Sequence, residues 1–403
     1  MVGIGHMRRN LLIAQTLAGS PLQAVILMIA EAREANVLTL PPGGDCLTLP
    51  ALRKEFDGQC RPRYLDTSLA ELVALRSRVI GAALETFRPD ILIVDHLPRG
   101  ALRELDPTLE GLRAGGHTRC VLGLRDVLED PARVRQEWAD AANEDAIRDF
   151  YDAVWIYGDP AVFDPVREYH FSLDLLNKVR YTGYLDCRMR PRFEEIEGGA
   201  LQAALPPPSE PLLLCMVGGG QDGARLAEAF AEADFPPGST GVLLMGPFMP
   251  PEVQRRLRRR AAQRSQLRVL EFVTDPDLLL SVADRVIAMG GYNTIYEVLA
   301  FDKHALIVPR SKPRHEQAIR AERLRDLGLL DVLPLDGVTP ATLSEWLARD
   351  LGPAPRVRDR LDMGGTLRLP RLLEEVLRLP PGDLPWAETA PPPAERRLHH
   401  VHA

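Results

Sequence analysis

The chain is poor in cysteine and has no long apolar run. Its five cysteines, Cys46, Cys60, Cys120, Cys187 and Cys215, are odd in number and scattered, and no two form a Cys-x-x-Cys pair. That argues against a disulfide framework and a zinc site, and it fits a reducing compartment. No apolar stretch in the sequence reaches the roughly 18 residues a spanning helix needs. The first residues lack the apolar core of a secretory leader; glycines, His6 and two arginines stand there instead. A cytoplasmic protein is the expectation. An excess of basic residues is also missing: the net charge is −7 and the pI about 5.8. Nucleic acid wants a basic face, so it is excluded as the main partner. A nucleotide is not excluded, because it needs only a local positive field.

What is present is length, apolar content and proline. A chain of 403 residues, 45% of them apolar, has room for two to three domains on a soft prior of about 150 residues each. Proline is frequent, 35 in all, against an average of about 5%. One proline cluster, at 204–211, reads as a linker between domains. Another, at 381–403, reads as an extended or disordered tail. His399, His400 and His402 at its end are too few to argue for a metal site.

Between those clusters strand-like and helix-like stretches alternate. Residues 23–29, 90–95, 119–124 and 153–157 read as buried strands. Residues 68–87 are helical, with Leu69, Leu72, Leu75, Val79, Ile80 and Leu84 recurring at three and four, and 131–146 read as a polar helix. After the linker the pattern restarts, with strands at 211–217, 240–246 and 267–272 and helices at 225–233 and 275–283. Such alternation predicts parallel sheets covered by helices, in two doubly wound, Rossmann-like α/β domains in tandem facing a cleft. The domains expected are 1–203, then the linker 204–211, then 212–352, a helical segment at 353–380 and the tail at 381–403.

Every glycine cluster falls at a strand end, where ligands of such sheets bind. Gly218, Gly219 and Gly220 follow one strand, and Gly246 follows the next. Residues 286–289 form an apolar strand ending in Met289, Gly290 and Gly291. A helix opens there with Tyr292, Asn293 and Thr294, and Glu297 is expected in its first turn. A further strand, 306–309, ends in Pro309 and Arg310, and His315, Glu316 and Gln317 open the next helix. Glycines let a ligand approach the backbone, and free N–H groups at a helix start attract phosphate. A nearby carboxylate can take both hydroxyls of a ribose. The segment therefore reads as half of a nucleotide site. At the other end, Gly3, Gly5 and His6 form a glycine loop before a helix, with no strand ahead of it. A first strand is expected there: either the start is assigned too late and an apolar strand is encoded upstream, the favoured reading, or the first domain lacks a central strand.

Residues 211–330 resemble the nucleotide-sugar-binding domain of GT-B glycosyltransferases, in particular family 28, which includes the N-acetylglucosaminyltransferase of peptidoglycan synthesis. The resemblance rests on Gly218, Gly219, Gly220, Gly246, Pro247, residues 275–283 and 289–297, Pro309, Glu316, Gln317 and residues 320–324. In the first half it rests on Gly3, Gly5, His6, Arg8 or Arg9, and the helix opening at 10–14. Tyr292 and Asn293 depart from it, standing where relatives more often carry a small residue or histidine.

The resemblance implies roles. Gly290, Gly291 and the N–H groups after them would hold a diphosphate, and Glu297 the ribose. Phe272 and Val273 would face the uracil through their backbone. Glu316 and Gln317 would hold hydroxyls of the donor sugar, with Arg310 and the other glycine loops on the donor side. Gly3, Gly5 and His6 would face the donor from the opposite domain. The implied reaction moves a hexosyl group from a nucleotide sugar, a UDP-sugar, to an unidentified acceptor with inversion. His6 is the only histidine in a glycine loop, which suits a general base. Fixed N–H dipoles suit the departing diphosphate, so no cofactor and no essential metal is expected.

Each signal has a plainer alternative. Thr294 and Glu297 also spell a capping box. Gly218 to Gly220 could be a tight turn, and His6 part of a frayed terminus. Glu316 and Gln317 could be ordinary first-turn polarity. Asp95 and His96 look like a dyad, but a strand-end aspartate is more often structural. Six arginines at 255–264 form a solvated helix face or a contact to anionic lipid. The latter would suit a lipid-linked or polysaccharide acceptor and a protein peripheral to the inner membrane. Two rival functions stay open: a nucleotide-sugar hydrolase, and a non-catalytic nucleotide-sugar-binding or partner-dependent subunit.

Overall fold

The computed structural model describes residues 4–31, 40–54, 60–189, 205–207, 209–273, 276–310 and 312–378. Gly3, positions 204 and 208 of the expected linker and the whole of the expected tail lie outside the described residues.

The C-terminal half is built on one six-stranded parallel sheet. The N-terminal half contributes the first eight strands in chain order: β1 Ile26–Ala30, β2 Gly44–Thr48, β3 Leu52–Lys54, β4 Cys60–Pro62, β5 Ile91–Asp95, β6 Arg119–Arg125, β7 Ala153–Tyr157 and β8 Val179–Tyr181. The C-terminal half adds β9 Leu212–Met216, β10 Thr240–Leu244, β11 Leu267–Leu270, β12 Ala283–Met289, β13 His304–Val308 and β14 Asp331–Val332. Its order is β11-β10-β9-β12-β13-β14. Strand β9 thus has β10 on one side and β12 on the other, which makes the β9/β12 boundary the point where the winding reverses. The crevice for a ligand opens at the carboxyl ends of those two strands.

In the N-terminal half β5 to β8 form a parallel sheet in sequence order. Strands β1 and β2 pair in a separate parallel sheet, and β3 with β4 in a small hairpin. No described strand joins β1 to β5. Strands β6 and β7 are buried almost throughout, whereas β1 and β5 are largely half-buried. Continuous apolar runs suit strands covered on both faces.

Several elements differ from the sequence reading. The polar helix expected over 131–146 is two helices, Pro131–Asp140 and Asn143–Phe150. Ala142 adopts φ +51 between them, so the helical path breaks there. The strand expected over 267–272 stops at Leu270, leaving Phe272 and Val273 in a loop. Short strands such as β3 and β8 were not legible, because three residues carry no period.

The helix Gly365–Arg378 packs against the N-terminal half. Its Leu369, Leu372, Leu373 and Val376 are buried in one apolar cluster with Ile13 and Leu17 of the helix Ile4–Ala18. The Thr366 hydroxyl donates to the Asp186 carbonyl at 3.1 Å. A side chain at Gly365 would meet the carbonyls of Gly183 and Tyr184 at 2.7 Å, so only glycine permits this approach. The same cluster holds Leu122 and Trp155 of one half and Leu214 and Ile295 of the other, so the two halves share a core. Among the described residues no helix is long and apolar enough to cross a membrane.

Candidate active site

The cleft between the halves is lined by strand ends from both sheets. On the N-terminal side β5 ends in Asp95, with His96 following at φ +71. Helix Ile4–Ala18 starts above it and brings His6 to Asp95, with Nδ1 2.6 Å from Oδ2. Arg9 Nη2 donates to the other Asp95 oxygen at 2.5 Å. Asp95 therefore accepts from both, and His6 Nδ1 carries the proton of the short bond. That leaves Nε2 as the acceptor nitrogen of a neutral ring.

The electrostatics favour this state. Burial pushes the His6 pKa below its ordinary value, and Asp95 only partly restores it. For Asp95 burial alone would raise the pKa, but Arg9 and His6 outweigh it and hold the carboxyl well below the usual range. Arg9 is itself buried, and its guanidinium lies over the rings of Tyr292 at 5.3 Å and Tyr157 at 5.8 Å. Neutral imidazole held by a carboxylate is the arrangement of a general base. His6 is thus no frayed terminus. The dyad partner of Asp95 is His6, not the adjacent His96, whose ring centroid lies 5.5 Å from that of His6.

On the C-terminal side the glycine loops after β9 and β12 sit on adjacent strands at the reversal point. Gly290 is closely packed: a Cβ there would lie 3.1 Å from Pro309 and 3.2 Å from Gln317. Gly246 and Gly220 serve loop-on-loop contact, since a Cβ on Gly246 would run into the backbone of Gly218 to Gly220. Gly218, at φ +62, has open space around it, and Gly219 lies against Phe248. The next residues tie the loops together. Arg310 pairs with Asp222 at 2.8 Å and Glu316 at 3.3 Å, and its N–H donates to Gln317 Oε1 at 3.1 Å.

Helix Tyr292–Ala300 begins at Gly291, and its first backbone bond runs from Ile295 N–H to the Gly291 carbonyl at 3.0 Å. The N–H groups of its first turn are therefore available at the crevice. Glu297 lies in the second turn rather than the first, and no side chain caps the helix. The capping-box alternative does not form, because Gly291 and not Thr294 is the cap. Glu297 instead meets Arg8 across the cleft at 3.0 Å.

Tyr292 and Asn293 are also engaged across the cleft. The Tyr292 hydroxyl donates to the Tyr157 carbonyl at 2.7 Å, and the Asn293 amide donates to the Gly5 carbonyl. Deeper in, Arg320 and Asp126 form a fully buried ion pair at 2.9 Å. The Tyr296 hydroxyl donates to the same carboxylate at 2.6 Å and stacks on Tyr184 at 3.7 Å. Burial alone would raise the Asp126 pKa; Arg320 outweighs it and lowers the value.

The structure thus gathers His6, Gly5, Gly218, Gly219, Gly220, Gly290, Gly291, Tyr292, Asn293, Glu297, Arg310, Glu316 and Gln317 around one cleft. Gly246 lies beneath the first glycine loop, and Met289 is a core residue with its side chain in an apolar cluster. Phe272 and Val273 are half-buried in the loop after edge strand β11, and Val273 packs on the core. Sequence reasoning gave no role to Asp126 or Arg125; a charged pair closing an apolar strand was the available signal. Of the six arginines at 255–264, Arg256 and Arg258 pair with Glu228 and Glu271 at 2.6 Å, and Arg264 lies over Phe235 at 3.9 Å.

Comparison with known proteins bears on this cleft. Residues 214–360 match the family model described as the glycosyltransferase family 28 C-terminal domain. Over that stretch this chain is similar to family 28. A relative in Rubrobacter xylanophilus is 28% identical over 173 residues, 41% of this chain and 48% of that protein. It is named UDP-N-acetylglucosamine--N-acetylmuramyl-(pentapeptide) pyrophosphoryl-undecaprenol N-acetylglucosamine transferase. The chain therefore spans about half the length of that curated relative. The fold extends further than the sequence match. The crystal structure of CalG4, the calicheamicin glycosyltransferase, superposes with a TM-score of 0.58 at 18% identity, covering 93% of this chain and 96% of that one. The UDP-GlcNAc 2-epimerase from Neisseria meningitidis bound to UDP-GlcNAc superposes at 0.55 with 11% identity and the same coverage. The stretch similar to family 28 thus stands within a GT-B fold.

Proposed function

We propose that this protein is a glycosyltransferase that moves a hexosyl group from a UDP-sugar to an acceptor hydroxyl, with inversion and with His6 as the base. The observation that carries the reading is the 2.6 Å contact from His6 Nδ1 to Asp95, in a cleft whose other wall presents the glycine-fronted start of helix Tyr292–Ala300. The acceptor O–H gives its proton to His6 Nε2 while the oxygen bonds to the anomeric carbon. The bond from that carbon to the diphosphate oxygen breaks, and UDP leaves with the electron pair. N–H groups after Gly290 and Gly291 meet the departing charge. Glu297 takes the ribose hydroxyls, the backbone of Phe272 and Val273 the uracil, and Glu316 and Gln317 the sugar. This route calls on no metal or cofactor.

The name of the curated relative includes a pyrophosphoryl-undecaprenol acceptor, which supports a lipid-linked acceptor here and a cytoplasmic enzyme working at a membrane surface. Because an epimerase shares the fold, product identity is the decisive readout. Incubation with a panel of nucleotide sugars, followed by analysis of nucleotide and sugar products, tests the reading. UDP release that depends on an added acceptor supports it. Release of free sugar without acceptor indicates hydrolysis, and an epimerised donor without UDP release rejects transfer.

A further inference from the structure

Besides Arg8, which pairs with Glu297, the cleft contains four arginines whose pairing can be followed one by one. Arg9 is taken by Asp95, Arg320 by Asp126, and Arg310 by Glu316 and Asp222. The fourth, Arg125, closes β6 directly beside this group, in register with Tyr157 of β7. Its Nε is buried without a hydrogen-bond partner, and among the described residues no carboxylate forms an ion pair with its guanidinium. Nearby, His96 Nδ1 and the Tyr157 hydroxyl are also buried without a partner. His96 is joined to the same strand, its N–H donating to the Gly123 carbonyl at 2.8 Å. Two buried polar atoms left unpaired near a cation whose own Nε is also buried and unpaired are a costly arrangement. They become satisfied when an anion with several acceptor oxygens enters.

We infer that Arg125, with His96 beside it, is an oxyanion-binding site for a phosphate or carboxylate on the acceptor, separate from the helix start that faces the donor. The inference rests on the transferase reading for the word acceptor; the anion site itself does not. The location supports the assignment. Arg125 stands on the N-terminal wall with His6 and His96, whereas the glycine loops stand on the opposite wall. Its charge is felt by both histidines, lowering their pKa behind the larger effect of burial. Burial and the neighbouring Arg320 and Arg9 pull Arg125 down to about 10, and it remains a cation at neutral pH. A guanidinium can grip a planar or tetrahedral oxyanion with two parallel N–H bonds. An acceptor seated so would present its hydroxyl near the His6 base.

The test uses the full chain with isotope-labelled histidine, inorganic phosphate as probe for the Arg125 site, and UDP as probe for the donor site. In the wild type, phosphate added in the presence of saturating UDP should shift the His96 and His6 resonances saturably. R125Q should lose that response at least tenfold in apparent affinity while keeping its UDP affinity and melting temperature. R125K should retain part of it. Loss of UDP affinity in R125Q would overturn the acceptor assignment and give Arg125 to the donor diphosphate. An unchanged phosphate response in R125Q would overturn the site altogether. If the wild type binds phosphate through Arg125 but binds no UDP, the transferase reading fails and the anion site stands.

Discussion

Arg8 Nη2 lies 3.0 Å from Glu297 Oε1, so a cation of the N-terminal half sits on the carboxylate assigned to the donor ribose. Both side chains are mostly buried, and the Asn293 amide bonds the Gly5 carbonyl one turn away. A ribose can reach Glu297 only by displacing or sharing that contact. R8A should therefore tighten UDP binding by a few fold, about 0.5–1 kcal/mol. E297A should weaken it roughly tenfold or more, through the loss of charge-assisted bonds of about 1.5–3 kcal/mol. Calorimetric titration with UDP reads both. Equal weakening in the two variants would show that Arg8 supports the nucleotide instead of competing with it.

The His6–Asp95 pair predicts a pH profile. The folded pKa of His6 lies below 6.5, so the base is neutral through the neutral range. kcat/KM should be flat there and fall as the pH drops through that lowered value. H6Q should reduce kcat by about 10²–10⁴-fold, the usual worth of a positioned base. D95N removes an influence that raises the His6 pKa, so its acid limb should move to still lower pH, on a reduced plateau. A limb unmoved by D95N would mean that another group titrates. The stability sign follows the same shift. The folded state prefers neutral His6, so its contribution is full above the unfolded pKa and weakens as the pH falls below it.

Asp126 and Arg320 should matter for stability and domain closure before they matter for chemistry. R320M leaves a fully buried carboxylate alone and should cost about 3–5 kcal/mol in chemical denaturation. The Asp126 pKa is lowered from 3.8, so the carboxylate's contribution is present above that value. It is lost as the pH falls through the lower folded value. The gap between wild type and D126N should thus hold at neutral pH and close only in strong acid.

The glycine loops separate packing from binding. G246A places a methyl against the Gly218–Gly220 backbone at φ +77 and should lower stability by about 1–3 kcal/mol. G218A meets open space at φ +62 and should cost about 1–2 kcal/mol, from backbone strain alone. G290A pushes on Pro309 and Gln317, and should reduce UDP affinity more than it reduces the melting temperature. Paired melting curves and UDP titrations distinguish the three.

Much of the C-terminal half was legible before any fold was seen. Strands such as β9, β10 and β12 are apolar runs ended by glycine, and local sequence carries both signals. Where local sequence was ambiguous it misled. Thr294 and Glu297 spell a capping box, yet the helix is capped at Gly291 with no side-chain bond, and both residues lie inside it. Ala142 gave no hint that it would break a helix.

The sequence by itself determined the alternation of strands and helices and the strand-end glycines, since each depends on near neighbours; the loop expected around His6 is instead the first turn of helix Ile4–Ala18. Only the tertiary structure decided what those residues meet. His6 and Asp95 are 89 positions apart, and Arg320 and Asp126 are 194 apart. Arg125 differs from the other cleft arginines only in lacking a carboxylate. No local pattern encodes such pairings. They arise where burial makes every charge find a partner or wait for a ligand.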